Sequence, residues 1–129
     1  MIVLVTGGRD YRDKNELYAV LDRLHAERGF SLIVHGDAGR YKLYARHPLA
    51  IEGADALAGR WADERGIAQI KCPANWNGEG NAAGMKRNQF MLDFARPELC
   101  IAFSGGRGTA NMMRLARGAG VEIIDVEDL

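Results

Sequence analysis

The sequence predicts an α/β domain: a single doubly wound, Rossmann-like parallel sheet of about five strands with helices on both faces. Three observations carry that expectation. Short apolar runs recur five times along 129 residues, and several are continuous rather than alternating, as in strands buried on both faces. Helical periodicities separate the runs, and such alternation argues for right-handed parallel crossovers. Glycine-rich turns directly follow three of the runs.

The first run is Ile2-Val3-Leu4-Val5. After it, Asp13 and Glu16 are spaced as a capping box, with Glu16 reaching back. Leu17, Val20, Leu21 and Leu24 then recur at helical spacing, and Gly29 suits a left-handed stop. Leu32-Ile33-Val34 is the second run. A second helix is expected over Ala54–Arg65, with Ala54, Leu57, Ala58 and Trp61 on one face and Gly66 ending it. The third run covers Ile67–Cys72. A polar, glycine-rich loop from Asn75 to Asn81 leads to a third helix over Ala82–Ala95. Met85, Asn88, Leu92 and Ala95 share its inward face, and Pro97 forbids continuation. Leu99–Phe103 is the fourth run. A fourth helix spans Thr109–Arg117, stopped by Gly118 or Gly120, and Val121–Val126 closes the series. The usual spatial order for such a chain is 3-2-1-4-5, which makes the first and fourth strands neighbours.

The connection from Asp37 to Glu52 is too long for an ordinary strand–helix loop. We read 39–52 as an insertion in one domain spanning 1–129. Its basic and aromatic residues, Arg40, Tyr41, Lys42, Tyr44 and Arg46, suit a lid, an oligomer contact or a short extra helix. Tyr41, Leu43 and Tyr44 packing back on the domain is the plainer alternative.

Composition narrows the function classes. Seventeen basic and 17 acidic residues leave no overall bias toward polyanions. Nucleic acid is therefore not an expected partner. The two cysteines, Cys72 and Cys100, sit in apolar runs, which speaks against a disulfide framework or a cysteine zinc site. His25 and His47 lack partners at metal-ligand spacing, so no metal site is expected. No run approaches the ~18 apolar residues of a membrane span, and the N-terminus lacks the basic start of a signal peptide, so the cytoplasm is the expected location.

The glycine-rich turns are Thr6-Gly7-Gly8-Arg9-Asp10, His35-Gly36-Asp37-Ala38-Gly39 and Ser104-Gly105-Gly106-Arg107-Gly108-Thr109. In a parallel sheet all three lie at the carboxyl edge, where open α/β sheets bind ligands. Missing side chains let backbone N–H groups point at an anion, and a helix start adds about 0.3–1 kcal/mol toward a single negative charge. Thr109 is placed to cap the helix or donate to a phosphate oxygen, and Arg9, Arg87 and Arg107 to add positive charge. Asn88 is polar on a face that should pack, so it needs hydrogen-bond partners or a ligand. Asp10, Asp37, Glu52 and Asp55 are the acidic residues near the edge, suited to a ribose hydroxyl or to acid–base work. His35 reads as a hydrogen-bonded structural residue. A P-loop, a G-x-G-x-x-G turn and a nucleophile elbow are all absent.

Taken together, Val5–Tyr11, His35–Ala38, Gly53-Ala54-Asp55, Ala83–Met91 and Phe103–Thr109 resemble the YspA/YpsA-related branch of the SLOG superfamily, small Rossmann-like proteins often from bacteria and phages. The resemblance implies glycine-rich turns that bind a nucleotide or nucleotide-derived ligand, with no obligatory cofactor. The wider superfamily includes LOG-type phosphoribohydrolases, whose signature is similar to P-G-G-x-G-T-x-x-E. Ser104 stands at the proline position, and Gly105, Gly106, Gly108 and Thr109 match. Arg87 resembles the active-site arginine. Met112 occupies the glutamate position, and loss of such an acid–base group typically costs about 10²–10⁴ in rate.

The expected function is therefore binding of a nucleotide-derived phosphate ligand, in the manner of a sensor. The expected site is Thr6, Gly7, Gly8, Arg9, Asp10, Gly36, Asp37, Arg87, Asn88, Ser104, Gly105, Gly106, Arg107, Gly108 and Thr109. In that reading Asp37 or Asp10 meets the sugar hydroxyls. One alternative is nucleotide hydrolysis, with Asp37, Glu52 or Asp55 replacing the missing glutamate. Another is single-stranded nucleic-acid binding through the basic–aromatic insertion, since the DNA-processing protein DprA shares the broader fold. Small Rossmann-like proteins commonly pair through their helices, and a homodimer is expected.

Overall fold

The computed structural model describes residues 1–75, 78 and 82–129. Most of the polar loop expected before the third helix (Trp76, Asn77, Glu79, Gly80 and Asn81) lies outside the described residues. Strands β1 (Ile2–Thr6), β2 (Leu32–His35), β5 (Ala68–Lys71), β6 (Leu99–Ala102) and β7 (Glu122–Asp125) form one sheet in the order β5-β2-β1-β6-β7. Every pairing in it is parallel, as at Val3↔Leu99 and Leu4↔Val34. This is the order anticipated from the sequence. A Rossmann-like α/β fold results.

Continuous apolar strands serve two cores because side chains alternate across the sheet. Val3, Val5, Ile33, Leu99 and Ile101 face α1 (Lys14–Arg28) and α2 (Ala54–Arg65), with Leu17, Leu21, Leu57 and Trp61 closing that layer. Leu4, Val34 and Cys100 face the other way, toward α3 (Ala83–Ala95) and α4 (Arg107–Gly118), where Met91, Leu92, Met112 and Ala116 complete the second layer. Burial raises the Cys100 thiol to about 12, so it behaves as a small apolar group. The buried Trp61 indole N–H donates to Asp22 Oδ1 at 2.8 Å, which removes the cost of burying it unpaired.

Helix ends follow the sequence in most respects. Asp13 accepts from the Glu16 amide at 3.0 Å, and Gly29 and Gly66 end α1 and α2 in left-handed geometry. The capping box is only half formed, because Glu16 Oε1 accepts from the Tyr11 hydroxyl at 2.6 Å instead of reaching back. Burial, with that bond and the Glu16 charge, pushes the Tyr11 pKa up. In α3 the expected inward face is corrected at Met85, which is exposed; Ala83, Asn88, Met91 and Leu92 are the buried positions. The first turn of α3 presents Gly84 to a cleft and Ala83 to the Cys72–Pro73 segment, so Met85 is left outside.

The insertion is an antiparallel hairpin, β3 (Arg40–Tyr44) against β4 (His47–Glu52), and not a helix. Its two tip residues, Ala45 and Arg46, both have positive φ, at 45° and 74°. Such a turn matches the twist of a tight hairpin. Ala50 packs into the α1–α2 core, and Arg60 donates to its carbonyl at 3.0 Å. At the hairpin base, Glu52 accepts from Arg12 Nε at 2.7 Å and from Arg40 Nε, which holds its carboxyl below the usual range. Leu43 and Tyr44 do not pack back; both are exposed.

Candidate functional site

The strand order reverses between β1 and β6, and the turns that follow them meet there. Gly7 sits so tightly that a Cβ would run into the Ala54 Cβ and come within 3.0 Å of the Phe103 Cβ. Gly8 donates its amide to the Ser104 carbonyl at 2.8 Å, and its own carbonyl accepts from Tyr11 and Ala54 at 3.2 and 3.1 Å. A Cβ on Gly105 would strike Thr109 Oγ1 and lie 2.7 Å from the Gly8 nitrogen. These glycines therefore clamp the two turns and the start of α2 together. This corrects one expectation: the Gly8 amide is used inside the chain and does not face an anion.

The start of α4 is different. Its N-cap is Gly106, which has no side chain to cap the first turn, and no acidic residue lies in that turn. The first N–H groups of an α-helix have no intrahelical partner, and they carry the positive end of the helix dipole. Gly106, Gly108 and Thr109 line a cleft of about 270 Å³. A Cβ at Gly106 or Gly108 would meet nothing within 4 Å, so both open onto free space.

Thr6, Gly7, Gly8, Arg9, Asp10, Ala38, Asp55, Gly84, Arg87, Asn88 and Met91 complete the cleft. Arg87 is fixed by carbonyls: its guanidinium donates to Gly36 O at 2.9 Å and Cys72 O at 3.5 Å, and its Nε to Asn88 Oδ1 at 3.0 Å. Gly36 makes this possible, since a Cβ there would lie 3.0 Å from the arginine Nε and closer still to its terminal nitrogen. Burial lowers the Arg87 pKa, while Asp55 opposes the shift. Asn88 donates to Gly108 O at 3.2 Å and Asn111 Oδ1 at 3.0 Å, which ties α3 to the first turn of α4. Its polarity on a packed face is thereby explained.

Asp55, in the first turn of α2, is 5% exposed. Its Oδ2 accepts a long bond of 3.4 Å from the Ala38 amide; Oδ1 is buried with no hydrogen-bond partner among the described residues. Burial raises its pKa to about 7, against the opposing pull of Arg87 and the backbone amides of Ala38 and Gly36. Two of the other acidic candidates are engaged elsewhere. Glu52 is the hairpin clasp, and Asp37, at a φ of 55°, accepts from the Tyr41 hydroxyl. Asp10 lies on the cleft wall.

His35 is fully buried and structural. Its Nδ1 accepts from the Asp37 amide at 3.0 Å, which leaves Nε2 to donate to Gln69 Oε1 at 2.7 Å. Burial lowers its pKa from 6.5. Its ring ¹³C resonances are accordingly expected not to move between pH 7 and pH 6, a range in which an unperturbed histidine takes up much of its proton. Titration of His35 across that range would contradict this assignment.

The structure thus brings together on the cleft Thr6, Gly7, Gly8, Arg9, Asp10, Arg87, Asn88, Gly106, Gly108 and Thr109. Gly36 and Asp37 line an adjoining compartment of about 220 Å³ that shares Arg9, Ala38 and Arg87 with the cleft. Ser104, Gly105 and Arg107 line neither; the first two join the turns and Arg107 is exposed. Asp55 was a sequence candidate for a ribose hydroxyl or for acid–base work, outside the expected site set, and Ala38, Gly84 and Met91 fell within the family-like motifs without being singled out as site residues. Met112 faces the second core, fully buried, and does not line the cleft.

Comparison with known families matches residues 1–41 and 42–78 to YAcAr, the YspA, cpYpsA-related SLOG family. The chain belongs to this SLOG family. No match was found among curated proteins. Membership suggests a role linked to a nucleotide-related ligand. The two matched stretches adjoin at residues 41 and 42, inside β3, so the hairpin base falls within the matched region. Among the described residues no helix is long and apolar enough to cross a membrane, and no group of three or more His, Cys, Asp or Glu side chains is placed to hold a metal ion.

Proposed function

We propose that this SLOG domain binds the phosphate of a nucleotide-derived ligand in the cleft at the β1–β6 reversal, in the manner of a sensor. The observation that carries the reading is the bare start of α4. Its glycine N-cap and open Gly108 face a cleft that also holds two guanidinium groups and a buried carboxyl with an unpaired oxygen. Phosphate oxygens would accept from the first-turn amides, with Thr109 and the charges of Arg9 and Arg87 beside them. Glycines at 7, 8 and 105 hold the cup in shape rather than lining it with donors.

The distinction gives a test. Gly106→Ala and Gly108→Ala add a methyl into open space, so the melting temperature of the unliganded protein should stay within about 2 °C, while phosphate-ligand affinity should fall at least about tenfold. Differential scanning with millimolar nucleoside mono- and diphosphates reads both quantities, since saturation at 100 times Kd stabilises by about 2.7 kcal/mol. The reading fails if no such ligand shifts the wild-type melting temperature.

Hydrolysis is the second reading, and Asp55 favours it. It is the one of the three proposed replacement carboxyls that lines the cleft, and a pKa of about 7 suits a proton donor. Release of free base from nucleoside monophosphates, abolished by Asp55→Asn, is the expected result under that reading.

A further inference from the structure

We propose that Asp55 reads a ribose hydroxyl, so that the ligand of this cleft is a ribo- rather than a deoxyribonucleotide derivative; this rests on the phosphate reading above. The cleft has two kinds of wall. One is the uncapped start of α4, suited to anionic oxygens. The other is the Asp55 carboxyl, 5% exposed, whose Oδ1 makes no hydrogen bond of good geometry among the described residues, the Gly36 amide lying near the carboxyl without closing one. A buried polar atom left unpaired is costly, so a bound ligand that supplies its partner gains more than an exposed hydrogen bond would give.

The chemistry of that partner is constrained from three sides. Arg9 and Arg87 line the same cleft, which opposes a cationic ligand group. A second anionic group would be repelled by the carboxylate form. A neutral group remains, and the carboxyl titrates near neutral pH, so both its forms are present there. A carbonyl pairs only with the protonated form, and an N–H donor can be accepted by either form but leaves the O–H of the acid without an acceptor. A hydroxyl donates to one and accepts from the other, and so satisfies Asp55 in both states.

Dimensions favour a sugar hydroxyl over one on a more distant part of the ligand. The cleft of about 270 Å³ lies just below the usual range for small-ligand pockets, about 300–1,000 Å³. It has room for a phosphate and the sugar joined to it. The base would continue into the adjoining compartment of about 220 Å³, past Arg9, Ala38 and Arg87, toward Asp37 and Pro73. A phosphate on the start of α4 would leave the next group of a nucleotide, its sugar, for the Asp55 wall of the same cleft.

The test uses base-free probes: inorganic phosphate, ribose 5-phosphate and 2-deoxyribose 5-phosphate, titrated by calorimetry into the full chain. Wild-type protein should bind ribose 5-phosphate at least about tenfold more tightly than the deoxy sugar. In Asp55→Ala the ratio should fall to near one. Asp55→Asn, which retains an acceptor and a donor, should keep an intermediate ratio and serves where the alanine variant folds poorly. Phosphate binding without sugar discrimination in the wild type, or discrimination that survives Asp55→Ala, overturns this assignment alone. Failure of all three probes to bind overturns the phosphate reading and this inference with it.

Discussion

At pH 8 the Asp55→Asn protein should melt on the order of 10 °C above the wild-type chain, and the gap should close as the pH falls toward 5. The cause is the difference between the ordinary carboxyl pKa of 3.8 and about 7 in the folded protein. A folded-state pKa raised in this way contributes stability below the unfolded value, and that contribution is lost as the pH rises through about 7. Between pH 4 and pH 8 the loss is on the order of 4 kcal/mol, since each pKa unit is worth about 1.4 kcal/mol. At about 2–8 °C per kcal/mol for domains in this size range, the melting temperature shifts by roughly 10–30 °C. Asparagine has no charge to desolvate, and its amide oxygen can still accept from Ala38. Calorimetric scans of both proteins from pH 5 to pH 8 measure the gap directly. A gap that does not change with pH, or a less stable variant at pH 8, would show that the buried carboxyl is not strained in the unliganded fold. The expected sign has a functional meaning. Under the proposed ligand-binding reading, that sign is the usual trade between stability and activity.

Much of this arrangement is legible in the sequence because local rules and the global fold agree. Continuous apolar runs such as Leu4 and Val34 among their neighbours need two buried faces, and the parallel sheet supplies both. Gly29 and Gly66 stop helices at positions a left-handed residue must occupy. The hairpin was illegible for an equally specific reason. Its turn places Ala45 and Arg46 at positive φ, where Asn-Gly or Asp-Gly would have announced it. The geometry is held by what lies at its base, the Arg12–Glu52–Arg40 cluster and the Arg60 bond to Ala50, which are contacts between distant positions. The site shows the same division. Glycine clusters after strands located it, but spacing does not say which amides remain available. The Gly8 amide is taken by the Ser104 carbonyl and Gly105 is packed against Thr109 and Gly8, whereas Gly106 and Gly108 at the start of α4 open onto free space. Nor does the tripeptide Gly53-Ala54-Asp55 disclose that its carboxyl is buried, because Ala38 and Arg87, which meet it, come from other segments.

Met112→Glu, which restores the LOG-type glutamate, should lower the melting temperature by 10 °C or more and yield no release of free base from nucleoside monophosphates. Thr109 and Met112 are three residues apart on α4, so both point to the inward side of the helix. Thr109 lies at the rim and lines the cleft. Met112 lies one turn deeper, fully buried among Leu4, Val34, Met91, Leu92 and Cys100. The residues of that layer are apolar. Placing an ionised group there costs several kcal/mol, and protonating it instead still leaves a carboxyl in an apolar layer. Against a total stability of about 5–15 kcal/mol for an ordinary domain, that is a large fraction. Met112→Leu is the control for volume and should cost less than about 1.5 kcal/mol. A folded glutamate variant that gains turnover would mean that α4 rotates to bring position 112 into the cleft. A destabilised variant without turnover means that position 112 belongs to the core and supplies no acid to the cleft. Under the hydrolysis reading, proton transfer then falls to a carboxyl that does line the cleft, and Asp55 is the buried one.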